Sequence, residues 1–428
     1  MDAALDLLWQ TLEGVGQLLL SPFYYVGILL VMLQYRRQTI LERALFHVRL
    51  HAWPLQLIRT VAAGLLAGAL VSVAGLFLGV NVTGEAVLWM WGIAVLLAAL
   101  SVRYLCFAYS VGVLGVLQFI VGLTPLAEQP NWIGDAAASL ASLDIPGLLV
   151  LVAVMHLAEA LLVGWQGARF ASPLFLEGKR GKLVGGYMLQ GFWPVPLVLL
   201  VPASGAGEAL PWQTLLGGGW AESGNWALLG FPMMIGFTEL TRTMLPQDKA
   251  KDAARKLVWF ALIVGGAAVG AAYWSPLTLP AAIAALLLHE GMVWLSLLRE
   301  DRTSPYYVND GRGLRVLAVI PGTPAEQLGI AAGEILHKVN GLPVRTKEEL
   351  HAALHVNSAF CKLEVLNLEG HVKFLQRARY ANEHHQLGVV LSPDERAGVY
   401  AAPKPVSLLG LLRSRSAAKQ RGSTTTHM

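Results

Sequence analysis

Nine stretches of this chain are apolar enough to cross a bilayer, at 15–33, 56–78, 87–102, 104–124, 147–165, 183–202, 226–241, 257–274 and 279–298. A membrane helix needs about 20 apolar residues at about 1.5 Å each. The third and seventh stretches are short, which suits tilted or re-entrant segments. The connections between them alternate in charge. Arg36, Arg37, Arg43 and Arg49 follow the first stretch and Arg59 opens the second. Arg103 follows the third, and Arg169, Lys179, Arg180 and Lys182 follow the fifth. Arg242, Lys249, Lys251, Arg255 and Lys256 follow the seventh, and Arg299 and Arg302 the ninth. Segments 1–14, 79–86, 125–146, 203–225 and 275–278 hold no Lys or Arg. Because basic residues stay on the cytoplasmic side, the N-terminus is expected outside and the C-terminal part inside. The alternative keeps the N-terminus inside, with residues 4–33 forming a hairpin broken at Ser21-Pro22. Only 14% of residues are charged, against about a quarter in a soluble protein. The chain therefore reads as a multi-pass membrane protein with a soluble appendix. The acidic N-terminus lacks a basic n-region, so the first stretch is expected to remain as an anchor. Cys106 and Cys361 lie in different parts and give no disulfide framework.

Ionisable residues in apolar stretches need protein or water around them. His156 and Glu159 share a helix face, three residues apart. His289 and Glu290 sit within the ninth stretch, and Glu239 lies near the inner end of the seventh. His289-Glu290 begins like a zinc-hydrolase motif, but position 293 is Val and position 160, four beyond His156, is Ala. Hydrolytic zinc chemistry needs two imidazoles on one face, a general-base carboxylate and a third ligand. His156, Glu159, His289 and Glu290 are thus expected to form a structural polar cluster, with no metal and no catalytic residue. Gly64-x-x-x-Gly68, Gly75-x-x-x-Gly79 and Gly266-x-x-x-Gly270 suit close helix packing. Trp89, Trp91, Trp132, Trp193, Trp212, Trp220 and Trp226 fall near outer ends, as an interfacial belt would.

From Asp301 the composition changes. Residues 303–313 are rich in turn formers, and strands are expected at 314–320, 334–339, 360–366, 372–378 and 387–391. Asn340-Gly341 marks a tight turn. Thr346-x-x-Glu349 is a capping box opening a helix over 347–355. The runs VIPGTPA (319–325), LGI (328–330), GEIL (333–336) and VNG (339–341) closely resemble a bacterial PDZ domain, in the circularly permuted form whose carboxylate-binding loop comes last. The resemblance puts that loop at Gln386, Leu387, Gly388 and Val389, with Lys347 and His351 facing the ligand side chains. A tight glycine turn can capture a chain-terminal carboxylate on its N–H groups, and a strand edge can pair with the peptide. The tail 393–428 is basic and is expected to be disordered or to rest on the inner leaflet.

Taken whole, the chain resembles the MinJ family of Gram-positive bacteria, in which a many-span membrane part precedes a cytoplasmic PDZ domain. Local wording agrees at Ser172-Pro173, Gly181-Lys182, WPVP (193–196) and FCKLE (360–364). The expected organisation is a polytopic α-helical membrane domain over 1–298, a linker over 299–313, a small α+β PDZ domain over 314–392 and the tail. The resemblance implies a non-enzymatic adaptor without cofactor, at the division septum and cell poles. It implies a DivIVA-type coiled-coil protein and a MinD-type ATPase as partners, besides PDZ-bound peptide C-termini and the lipid bilayer; nucleic acid is not expected. The alternatives are an intramembrane hydrolase or a transporter built on the His/Glu cluster.

Overall fold

A computed structural model describes residues 2–394, apart from 81, 179–180, 203–209, 211, 217–225, 358–359 and 379–386. Helix α1 (Asp2–Leu20) gives way to α2 (Pro22–Phe46) at Ser21-Pro22, since proline lacks the N–H that would continue a helix. The axes bend there by 53°. Helix α3 (Trp53–Leu78) starts at a proline and stops at Gly79, whose φ of 70° suits a left-handed cap. Then come α4 (Gly84–Leu100), α5 (Phe107–Gly122), the short α6 (Trp132–Ala141) and α7 (Ile145–Leu162). Helices α8 (Pro246–Tyr273) and α9 (Thr278–Arg302) close the apolar part.

Among the described residues, four helical segments are long and apolar enough to cross a membrane: Trp53–Leu78, Ile145–Gly167, Pro246–Tyr273 and Ser275–Arg302. The bent α1–α2 pair makes up to five, and α4 and α5 are apolar but shorter. The expectation of nine helical spans is therefore corrected. Helix α7 lies at the centre, with 72% of its apolar window buried against 33% or less in the others.

Two of the nine stretches are strands. After β1 (Ser172–Glu177), β2 (Leu183–Pro202) and β3 (Trp226–Thr241) form a long antiparallel hairpin, in the order β1-β2-β3. The reason lies in the sequence: Pro194 and Pro196 stand two apart, and two prolines at that spacing would remove donors and clash within a helix. Burial follows the strand period, with Leu189, Trp193, Val195, Leu197 and Leu199 all buried. β1 pairs only with residues 183–188 of β2, so the rest of that edge must be covered otherwise.

Helix α3 covers it. The Pro194 and Pro196 carbonyls press so closely on Gly64 and Gly68 that any Cβ there would collide with them. Val198 N–H donates to Ser72 Oγ at 2.9 Å, and Ser72 Oγ donates to the Gly68 carbonyl at 2.7 Å. Of three alternate edge positions, two thus have no N–H and the third is satisfied, which a buried sheet edge requires. The glycines expected to join helices here seat a helix on a strand, whereas Gly266 meets nothing within 4 Å. Trp193 and Trp226, expected in an interfacial belt, are 0% and 2% exposed. Trp193 Nε1 donates to Gln166 Oε1 at 2.9 Å. Trp220 lies outside the described residues.

At the open end of the hairpin, Lys249 of α8 is buried and bonded to Glu239 Oε2 at 2.8 Å, Ser296 Oγ at 2.8 Å and Glu300 Oε1 at 3.3 Å. A buried ammonium needs such partners.

The C-terminal part is a six-stranded sheet with strands β4 (Leu314–Val319), β5 (Ile335–Val339), β6 (Leu342–Pro343), β7 (Phe360–Leu366), β8 (Val372–Ala378) and β9 (Val389–Leu391). The order is β8-β7-β5-β4-β9, with β6 on β5. Two helices, α10 (Pro324–Gln327) and α11 (Lys347–His355), complete it. The capping box forms, Thr346 Oγ1 accepting from Glu349 N–H at 3.1 Å. Asn340 and Gly341, with φ of 49° and 81°, make the tight turn. Leu314, Val316, Leu336, Val339, Leu350, Leu363 and Leu391 share one core.

Residues 303–313 bind both parts together. Gly185 N–H donates to the Tyr307 carbonyl at 2.9 Å, and Tyr306 N–H to the Arg242 carbonyl at 2.8 Å. Tyr187 Oη donates to the Leu317 carbonyl. Tyr307, Leu317, Ala318 and Val390 belong to the same apolar cluster as the hairpin. The tail beyond 394 lies outside the described residues.

Candidate functional site

Strand β9 forms one edge of the C-terminal sheet, and its geometry decides what that edge can do. Ile320 N–H donates to the Gly388 carbonyl at 2.9 Å, flanking the Val319–Val389 pair. In an antiparallel ladder such a pair is the non-hydrogen-bonded kind, so Val389 directs its own N–H and C=O away from β4. Ala325 N–H donates to the Leu387 carbonyl at 2.9 Å, and Thr323 Oγ1 to the Ile320 carbonyl at 2.6 Å. The 320–325 turn thus holds the Leu387-Gly388 carbonyls from one side. Gly388 has φ of 88°, and a Cβ there would collide with Thr323, so only glycine fits. Leu387 is buried in the domain core.

Of the residues expected to bind peptide, Leu387, Gly388 and Val389 form this turn and edge, while Gln386 lies outside the described residues. Lys347 and His351 stand on α11, and His351 is exposed. Lys347 Nζ lies 3.5 Å from Asp394 Oδ2, linking α11 to the chain just after β9. Both groups are half-exposed, and such pairs contribute about 0–1 kcal/mol, little enough for a ligand to displace.

Next to the apolar seam, Asp310 receives Arg312 Nε at 3.0 Å and Arg315 Nη2 at 3.1 Å. The Arg312 hydrogen bond, with Arg315 adding charge, holds its carboxyl below the usual range. Arg315 also lies 4.7 Å from the Tyr306 ring centroid, a cation–π arrangement that holds the 303–313 segment on the sheet.

The intramembrane cluster is only partly assembled. His156 and His289 meet with ring centroids 5.5 Å apart, and Glu159 Oε2 lies 4.0 Å from His156 Nε2. Glu290 turns elsewhere, accepting from Arg103 Nη2 at 2.9 Å and Tyr109 Oη at 2.7 Å. Cys106, considered in the sequence only for disulfide pairing, joins the cluster through Sγ 3.5 Å from His156 Nε2. No sequence spacing links residues 106, 156 and 289; the packing of α5, α7 and α9 does.

The fold and this edge define a class: a chain of apolar helices carrying a C-terminal PDZ domain. The PDZ domain family model matches residues 315–365. Over 392 residues, 90% of this chain and 96% of the relative, it is 29% identical to the cell division topological determinant MinJ of Bacillus subtilis. It is 26% identical to probable MinJ proteins of Lacticaseibacillus paracasei and Lacticaseibacillus casei, over 66% of this chain and 80% of theirs. The resemblance to the MinJ family therefore holds along nearly the whole chain.

Proposed function

We propose that this protein is a non-enzymatic membrane adaptor of cell division, whose PDZ domain captures the C-termini of cytoplasmic proteins. The observation that carries this reading is the β9 edge. Val389 turns its backbone groups outward beside a left-handed Gly388, in a domain whose sequence matches the PDZ family. An extended peptide adds there as a further strand, its carboxylate meeting the N–H groups of the turn and its side chains meeting Lys347 and His351 on α11. Likeness to MinJ supports a role in division placement, with a DivIVA-type and a MinD-type protein as partners, at the septum and poles.

The charge pattern supports a cytoplasmic PDZ domain, and the hairpin leaves that reading intact. Both ends of β2–β3 adjoin basic segments, and the sequence joining the strands, 203–225, carries no Lys or Arg. At about 3.3 Å per residue, 16 paired residues exceed the hydrocarbon thickness of about 30 Å. The hairpin thus crosses and returns as two helices would.

The test is co-purification of MinD-type and DivIVA-type proteins from bacterial membranes with the full chain and with one lacking 314–392. Recruitment should vanish while membrane insertion persists. Recruitment that survives the deletion contradicts the proposal.

A further inference from the structure

We propose that Cys106, His156 and His289 form a zinc-binding site that ties three elements of the helical part together. One ligand atom from each of the three lies within 4.8 Å of the other two. Zinc bonds of about 2.3 Å to sulfur and about 2.0 Å to nitrogen place two tetrahedral donors about 3.5 Å apart. Cys106 Sγ and His156 Nε2 are 3.5 Å apart.

The imidazoles are prepared for a cation. His156 Nδ1 lies 2.7 Å from the Val152 carbonyl, which can only accept, so Nδ1 carries the proton and Nε2 offers its lone pair. That arrangement, with the far nitrogen tied to a carbonyl, is the usual support of a metal-bound histidine. His156 is 3% exposed. His289 Nδ1 is buried and has no hydrogen-bond partner among the described residues. Coordination through that nitrogen would satisfy it, whereas left unpaired such an atom costs about 1–3 kcal/mol.

The surroundings fit a resident ion. Phe260 of α8 packs against both imidazoles, with centroids 4.5 and 5.6 Å away, and Tyr109 stands 4.7 Å from His289. These rings line one side of the site, whose His156 is buried while Cys106 and His289 are partly exposed. A Cys106 thiolate and the Glu159 carboxylate together balance a divalent cation, which limits the cost of placing charge among apolar helices. One sulfur and two nitrogens are ligands zinc favours; Glu159 Oε2, 4.0 Å from His156 Nε2, stands beside this three-ligand group and would have to move in to complete the tetrahedron. Cys106 precedes α5, His156 lies on α7 and His289 on α9, so the ion would staple these elements.

The experiment uses the full chain, purified in detergent, exposed to zinc and washed with a weak chelator. Elemental analysis should find near-stoichiometric zinc, lost to background in Cys106→Ser and His289→Ala and retained in Cys361→Ser. Cobalt loaded in place of zinc should give a near-ultraviolet thiolate absorption in the unaltered chain, a reading that needs no variant to fold. In the same chain, zinc should protect Cys106 from a membrane-permeant maleimide and a strong chelator should restore labelling. Background zinc in the unaltered chain, zinc that survives both substitutions, copper in its place, or a cobalt spectrum without the thiolate band would each overturn the proposal.

Discussion

The two β-sheets among the described residues treat their edges in opposite ways. In the hairpin, the β2 edge is closed over 194–198: Pro194 and Pro196 have no N–H to offer, Val198 donates to Ser72, and α3 lies against the strand on Gly64 and Gly68. In the PDZ domain, the β9 edge keeps Val389 N–H and C=O turned outward beside Gly388. The same backbone chemistry is silenced at one edge and left open at the other, where the proposed peptide would add. An edge among apolar helices cannot be rescued by water, so every donor there needs a partner or must be absent. An edge near water can wait unpaired for a ligand.

Substitutions at these two edges break or sharpen the contrast. Gly68→Leu should have the largest effect, because its side chain meets the backbone of Pro196, which cannot swing aside. A loss at or above about 3 kcal/mol is expected, read as a collapse of thermal stability in detergent. Ser72→Ala leaves Val198 N–H without its acceptor and should cost about 1–3 kcal/mol, read in the same assay. Wild-type stability in this variant would show that the α3 seat does not depend on that bond.

Val389→Pro transplants the hairpin's own device to the open edge. It deletes the outward N–H without touching a β4 bond, so the domain should stay folded. Affinity for a C-terminal peptide should drop by about 1 kcal/mol, roughly fivefold, measured by fluorescence anisotropy. Unchanged affinity would place the ligand elsewhere.

The smallest effect is expected where the two sheets meet. Asp310 titrates below the usual carboxylate range because of Arg312 and then Arg315. A depressed carboxylate contributes stability that is complete above its unfolded value, about 3.9, and lost as pH falls through the folded one. Proteolysis of the 303–313 segment should therefore rise modestly in acid, and Asp310→Asn should remove that step. The group is largely solvated, so the change is minor.

The PDZ domain was legible because its turn chemistry is local: VIPGTPA, VNG and the Thr346–Glu349 box each dictate a backbone shape within a few residues. The apolar helices at 56–78, 147–165, 257–274 and 279–298 were equally plain from length. The hairpin was misread because 183–202 and 226–241 are apolar on both faces, so hydropathy alone cannot separate strand from helix. The proline pair at 194 and 196 was the signal that could have done so. Cys106 was missed for another reason. Its neighbours His156 and His289 arrive by tertiary packing, and no spacing along the chain announces them.

The bridge between Gly185 and Tyr307 makes the hairpin and the PDZ module parts of a single hydrogen-bonded frame. A module on a slack tether sweeps a hemisphere, and the tether's reach decides whom it meets. A clamped module keeps one height and one bearing over the lipid. On the proposed function, clients would then approach along a set direction, and any tilt a bilayer imposed on the hairpin would be handed on to the β9 edge as rotation.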